Sequence, residues 1–216
     1  MFYFTSNLQS QINGDKEIVT IIDTTIVFPL TTDNSFLNIH YILQESEKKN
    51  ITINTLFISD STKKHYQKII DTTSYIYKIY GRPTDIIRVI DINLDGFNDF
   101  GIVDDIGGSH PDISYKYYLY NPDKKVFIYS KEFSDLCCHL SIDYNTKSIY
   151  LESYRWQEEK STKYTYKVYN NKPKLTAIRI EYVFTEDNKQ KYRTVIKKLI
   201  DGKMKVISDT TIWRGM

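Results

Sequence analysis

Apolar and polar side chains alternate along much of this chain with the two-residue period of half-buried strands, and turn residues break the runs at short intervals. A β-branched run from Glu17 to Phe28 stops at Pro29, and a second strand is predicted over Phe36 to Leu43 after the polar turn Thr31 to Ser35. Ile51 to Ser59 and Tyr66 to Ile70 read as a hairpin about the turn Asp60 to Lys64, although His65 to Ile76 would also accommodate a helix. Ser74 to Tyr80 alternates until Gly81-Arg82-Pro83 breaks it. Apolar runs at Ile86 to Ile90 and Phe100 to Val103 predict two further strands. In the second half, Ser114 to Tyr120 and Val126 to Tyr129 flank Asn121-Pro122-Asp123, a type I turn signal. Phe133 to Ser141 has little periodicity and reads as a loop. Ile149 to Trp156 pairs with Tyr164 to Tyr169, and Lys174 to Phe184 places Ile178, Ile180, Tyr182 and Phe184 on one face. Tyr192 to Ile200 and Lys203 to Ser208 close on Asp201-Gly202, a type I′ hairpin signal. Strands at this spacing predict an all-β fold, an antiparallel meander forming a propeller-like or sandwich-like domain.

Composition sharpens this picture in one respect. The 216 residues include 19 Tyr and 10 Phe against 8 Gly and 5 Pro, a balance suited to pleated, half-exposed sheets. No linker or composition shift marks a second domain, so one domain over residues 1–216 is expected. A net charge of +2 supplies no basic stripe for nucleic acid. No apolar run approaches the roughly 20 residues of a spanning helix. The start, Met1 to Ser6, lacks the basic and apolar segments of a signal peptide. The expectation is therefore a cytoplasmic protein, or an exported one read here without its signal.

Candidate chemistry concentrates after Ile90. Asp91-Ile92-Asn93-Leu94-Asp95-Gly96-Phe97-Asn98-Asp99 sets oxygen ligands at its first, third, fifth and ninth places, with glycine at the sixth. Carboxylates and an amide converging on a hard cation, a glycine for the sharp turn and a carbonyl from the seventh residue are the parts of a calcium loop. Asp91, Asn93, Asp95, the Phe97 carbonyl and Asp99 are the expected ligands, and strands on both sides make a strand-loop-strand calcium turn. An EF-hand would carry Glu at the twelfth place, where Ile102 stands.

Catalytic constellations are harder to find. There is no Gly-x-Ser-x-Gly or His-Glu-x-x-His, and His40, His65, His110 and His139 are scattered. Asp104 and Asp105 lie next to each other in a strand and point to opposite faces. Cys137 and Cys138 are adjacent, which disfavours a mutual disulfide, and read as small apolar residues beneath a loop. Binding is the stronger expectation, and no catalytic residue is assigned. Ser109 and His110 follow paired glycines in Ile106 to Pro111. The hairpin tip from Arg155 to Lys163 carries Arg155, Trp156, Glu158, Glu159 and Lys163, bordered by Tyr154 and Tyr164, and its aromatic and Arg residues are the composition of binding hot spots.

The loop Asp91 to Phe100 resembles the calcium turn of FG-GAP repeats. Together with Ile113 to Pro122, Phe127 to Leu136 and Ser161 to Lys172, it resembles a narrower group, the periplasmic immunity proteins that protect bacteria from peptidoglycan-degrading effectors of bacteria-killing secretion systems. The likeness covers roughly residues 50 to 185, and it implies a core over 51–208 with 1–50 as an extension outside the family pattern. It implies a lysozyme-inhibitor-like β domain that stabilises one loop with calcium and plugs the cleft of a peptidoglycan hydrolase with others. Arg155, Trp156, Lys163 and Tyr164 would then enter the cleft, with Ser109 and His110 as a second contact. An adhesin or carbohydrate-binding module of FG-GAP type, with a glycan as partner, is the alternative.

Overall fold

The computed structural model describes residues 4–6, 18–31, 35–46, 51–60, 62, 65–74, 86–107, 112–136, 140–155, 159–186 and 189–214. The chain divides into two compact units, Met1–Ser134 and Asp135–Met216. Unit one holds β1 (Phe4–Ser6), β2 (Val19–Pro29), β3 (Phe36–Ser46), β4 (Ile51–Ser59) and β5 (His65–Ser74) in one sheet. A second sheet contains β6 (Ile87–Ile90), β7 (Asp99–Gly107), β8 (Asp112–Asn121) and β9 (Val126–Ser130), followed by the one-turn helix α1 (Lys131–Ser134). Unit two is a single sheet of β10 (Leu140–Asp143), β11 (Ser148–Arg155), β12 (Lys160–Tyr169), β13 (Lys172–Glu186), β14 (Lys189–Ile200) and β15 (Lys203–Arg214). Within each sheet every strand pairs antiparallel with its sequence neighbours, and none of the three sheets closes into a barrel. The protein is all-β, and the two sheets of unit one share a core as in a sandwich.

Alternation explains which face turns inward. In β3, Leu37, Ile39, Tyr41 and Leu43 are buried while the residues between them are not. Register then aligns Ile26 with Ile39 and Ile58, and Tyr41 with Leu56, on the same face. The facing sheet supplies Phe100, Ile102, Tyr118, Tyr120 and Phe127 to the same core. Phe28 meets Phe100 and Phe127 edge-on, at 6.3 and 5.5 Å between ring centroids, and Phe100 stacks on Tyr118 at 5.0 Å. These offset and edge geometries add to the area each ring buries.

Three side chains clamp the two sheets of unit one. Gln67 on β5 behaves as a strand residue toward β9, its Nε2 donating to the Phe127 carbonyl at 2.7 Å and its Oε1 accepting from Phe127 N at 2.8 Å. Lys116 on β8 reaches Asp71 Oδ1 and Asp104 Oδ1, each at 3.0 Å, and the Thr72 carbonyl at 2.7 Å. Asn98 donates through its backbone to the Leu30 carbonyl and through Nδ2 to the Pro29 carbonyl, at 2.8 and 2.9 Å.

Several expectations take a more definite form. Residues 65–74 are strand, because edge pairing with β4 uses the backbone that a helix would have consumed internally. The loop expected from Phe133 to Ser141 contains the end of α1 and the start of β10. The last strand runs on through Arg214, six residues past Ser208, paired throughout with β14. Position 50/51 falls between β3 and β4, which pair over nine positions from Asn38↔Ser59 to Ser46↔Ile51. Asp201 and Gly202 both have positive φ, 52° and 73°, as a type I′ turn requires. Cys137, Cys138 and His139, and the segment 75–85, lie outside the described residues.

The amide clamp is open to a direct test. Gln67→Leu keeps the volume and leaves both Phe127 backbone groups without their partner, so urea unfolding should show a loss of about 1–3 kcal/mol.

Candidate functional site

The loop between β6 and β7 is built on its own side chains. Asp91 accepts from Asp95 N at 3.1 Å and from Gly96 N at 3.0 Å. Asn93 Oδ1 accepts from Asp95 N at 3.3 Å, and Asp95 Oδ1 from Phe97 N at 2.9 Å. These short-range bonds wind Asp91, Asn93 and Asp95 around one tight turn. Leu94 and Gly96 take positive φ, 63° and 92°, and glycine makes the second of these costless. Burial raises the Asp91 carboxyl above its usual range against the pull of the Gly96 N–H, and the Asp95 charge raises it further. Asn93 Nδ2 donates to Asp95 Oδ2 at 2.7 Å, which offsets part of that charge.

Asp99 stands apart. It is fully buried, and its Oδ1 accepts from Tyr120 N on β8 at 2.8 Å. Its Oδ2 accepts from Ile92 N at 3.0 Å and Asn93 N at 3.4 Å. The residue expected to close a metal shell therefore ties the loop's first turn to the neighbouring strand. Burial pushes its carboxyl up, to about 8, with the Asp95 and Asp91 charges adding to it while the Tyr120 and Ile92 N–H groups pull the other way. Phe97 presents its ring to Tyr120 at 5.5 Å. Among the described residues, no three His, Cys, Asp or Glu side chains converge as a metal-ligating group. The oxygens of Asp91, Asn93 and Asp95 and the Phe97 carbonyl are the donor chemistry that fits a calcium ion.

The expected partner residues fall in different places. Arg155 is the exposed last residue of β11, while Trp156, Ser109 and His110 lie outside the described residues. Lys163 and Tyr164 belong to β12 rather than to the turn, and as adjacent strand residues they project to opposite faces. Lys163 pairs with Glu152 at 2.9 Å and lies 4.3 Å from the Tyr150 ring centroid. With Ser161, Arg179 and Glu181 it lines a shallow depression of ≈ 270 Å³, where Arg179 also meets Glu181 at 2.6 Å. That depression is internally neutralised.

The other face of this sheet carries a row that sequence reasoning missed. Register places Arg155 opposite Lys160, Lys160 opposite Tyr182, and Tyr182 opposite Arg193. Alongside, Phe184, Lys191 and Trp213 stand in register. The Lys160 ammonium lies 5.7 Å from the Tyr182 ring centroid, and that of Lys191 lies 4.5 Å from Trp213 and 5.4 Å from Phe184. Arg193 makes a two-pronged contact with Asp209 at 2.9 and 2.7 Å. The signal was legible in principle, because Lys189, Lys191, Arg193 and Lys197 repeat at even spacing along β14. Unit two holds 16 Lys and Arg against 10 Asp and Glu, a net +6, and unit one holds 13 against 17, a net −4. The near-neutral whole conceals this division.

Strand pairing also brings together residues that spacing kept apart. His40 Nε2 lies 2.7 Å from Asp23 Oδ1 on an exposed face of the first sheet. No helix among the described residues is long and apolar enough to cross a membrane.

Two measurements separate the roles within the loop. Asp99→Ala strands three backbone donors and should cost about 2–4 kcal/mol in chemical denaturation, whereas Asp95→Ala in chelator should cost under about 1 kcal/mol. A carboxyl raised in the folded state holds a proton that the unfolded chain releases. Its contribution therefore favours folding at low pH and is lost as pH rises from about 3.8 towards about 8. In chelator the melting temperature should fall across that window, and Asp99→Asn should flatten the dependence.

No protein-family model matches the chain, and no curated protein matches it. A solved structure described as that of a Xanthomonas type IV secretion system related protein has a similar fold, with a TM-score of 0.57 and 16% sequence identity. The likeness covers 94% of this chain and 99% of that one, and at this identity it is a likeness of fold.

Proposed function

We propose that this protein is a periplasmic immunity-type inhibitor that binds a peptidoglycan-degrading, lysozyme-like hydrolase and blocks its substrate cleft with loops. The observation that carries this reading is the fold shared along 94% of the chain with a protein related to a type IV secretion system. Its agreement with the resemblance carried by the Asp91 loop and the tyrosine-rich strands adds weight. A glycosidase cleft of the lysozyme kind presents two carboxylates, and a unit with net charge +6 is electrostatically suited to approach them. The turn between Arg155 and Lys160, including Trp156, is the leading plug, and the segment with Ser109 and His110 is the second. On this reading the protein acts by binding and has no reaction of its own.

Calcium belongs to the same proposal as a structural ion. Asp91, Asn93, Asp95 and the Phe97 carbonyl would hold it, and the ion would neutralise carboxylates that otherwise repel one another. A carbohydrate-binding module is the second reading, supported by the half-exposed rings of Tyr144, Tyr154 and Tyr169.

A pull-down with the full chain as bait, run in calcium and again in chelator, separates the two readings. Capture of a peptidoglycan hydrolase with its activity abolished supports the inhibitor, whereas retention of cell-wall glycan alone supports the binding module. In a cell-wall clearing assay, Trp156→Ala with Tyr164→Ala should weaken inhibition by at least about tenfold at unchanged fold. Unchanged inhibition would assign the plug to another loop. Calcium at saturating excess should raise the melting temperature of the wild type and leave Asp95→Asn unmoved.

A further inference from the structure

We infer that the row Arg155–Lys160–Tyr182–Arg193, extended by Lys191 and Trp213, is the surface on which this protein docks an acidic protein partner. The inference rests on the inhibitor reading and assigns it a contact that lies on the sheet itself, beside the plugging turn. Four cations from three strands, β11, β12 and β14, stand together on the Tyr164 face of the sheet. The row crosses three strand gaps, about 14 Å, a width suited to the carboxylate rim of a cleft. Arg155 and Arg193 are exposed, and Trp213 is 50% exposed.

The geometry also separates classes of partner. The lysines lie over the rings of Tyr182, Phe184 and Trp213, so these ring faces are occupied by ammonium groups rather than offered to a base or a sugar for stacking. Asp209 holds the Arg193 fork in place on the row. What remains is a set of ammonium and guanidinium donors beside Ile178, Ile180 and Val195, which register places on the same face. Pre-ordered cations around aromatic anchors suit carboxylates on a protein surface.

The test uses the full chain, with poly-L-glutamate as the carboxylate probe and an oligothymidylate as the phosphate probe, both followed by titration calorimetry. Lys160→Glu with Lys191→Glu should weaken poly-glutamate binding by about tenfold or more. Lys198→Glu with Lys203→Glu, on the opposite face, should change it less than about twofold. Should charge reversal lower the melting temperature, Lys160→Gln with Lys191→Gln gives the same direction at smaller size. Equal weakening by both pairs would overturn the inference, as would absent poly-glutamate binding or tighter binding of oligothymidylate through the same lysines. The two readings fail separately. Row-specific poly-glutamate binding without inhibition of any hydrolase keeps the row and removes the proposed target. Inhibition that survives reversal of the row keeps the target and removes the row.

Discussion

The buried carboxylate of Asp99 is the constraint on which unit one depends. A charge-bearing group is costly to remove from water unless donors surround it. Here the donors are main-chain N–H groups from two separate places, Ile92 and Asn93 at the start of the loop and Tyr120 on β8. Satisfying the carboxylate therefore sets the path of the loop and its distance from the neighbouring strand together. The next residue back, Asn98, binds the end of β2 in the facing sheet. Two adjacent side chains thus bind the loop, its own sheet and the opposite sheet into one arrangement. The loop's outer oxygens, on Asp91, Asn93 and Asp95, are placed by this inner anchor.

Much of the fold was legible because sheet physics is local in this chain. Period-two alternation, Asn-Pro and Asp-Gly turns and β-branched runs located most strands, and the Asp201-Gly202 turn has the positive φ angles its sequence requires. The missing information was pairwise. Whether residues 65–74 became strand or helix depended on β4 offering a free edge. The role of Asp99 depended on Tyr120, 21 residues away. Loop spacing assigns a residue type to a ligand position and says nothing of which N–H groups the fold will aim at it. Lys163 and Tyr164 looked like one patch in sequence, yet a strand sends them to opposite faces.

The division of charge is a second property that only the fold reveals. Each unit is well away from neutrality, with opposite signs, while the whole chain carries +2. Screening confines such fields to about 8–10 Å at physiological salt, so local charge rather than the chain's total of +2 decides what an approaching macromolecule meets. Even spacing of Lys and Arg along β14 collects part of that charge on one face. The hairpin register then brings in Arg155 and Lys160 from strands distant in sequence.

Every ladder in the three sheets joins strands consecutive in the chain. For an all-β protein this makes the sequence separation of most pairings small, and hairpin zippering can follow the order of synthesis without large loops to close. The exceptions are the side-chain clamps, with Gln67 and Phe127 60 residues apart and Asn98 and Pro29 69 apart. Contacts of that span close the longest loops, which favours their forming after the sheets they dock. Their loss should appear in the unfolding rate and leave the folding rate nearly untouched. The clamps thus govern how long the sandwich persists rather than how fast it assembles.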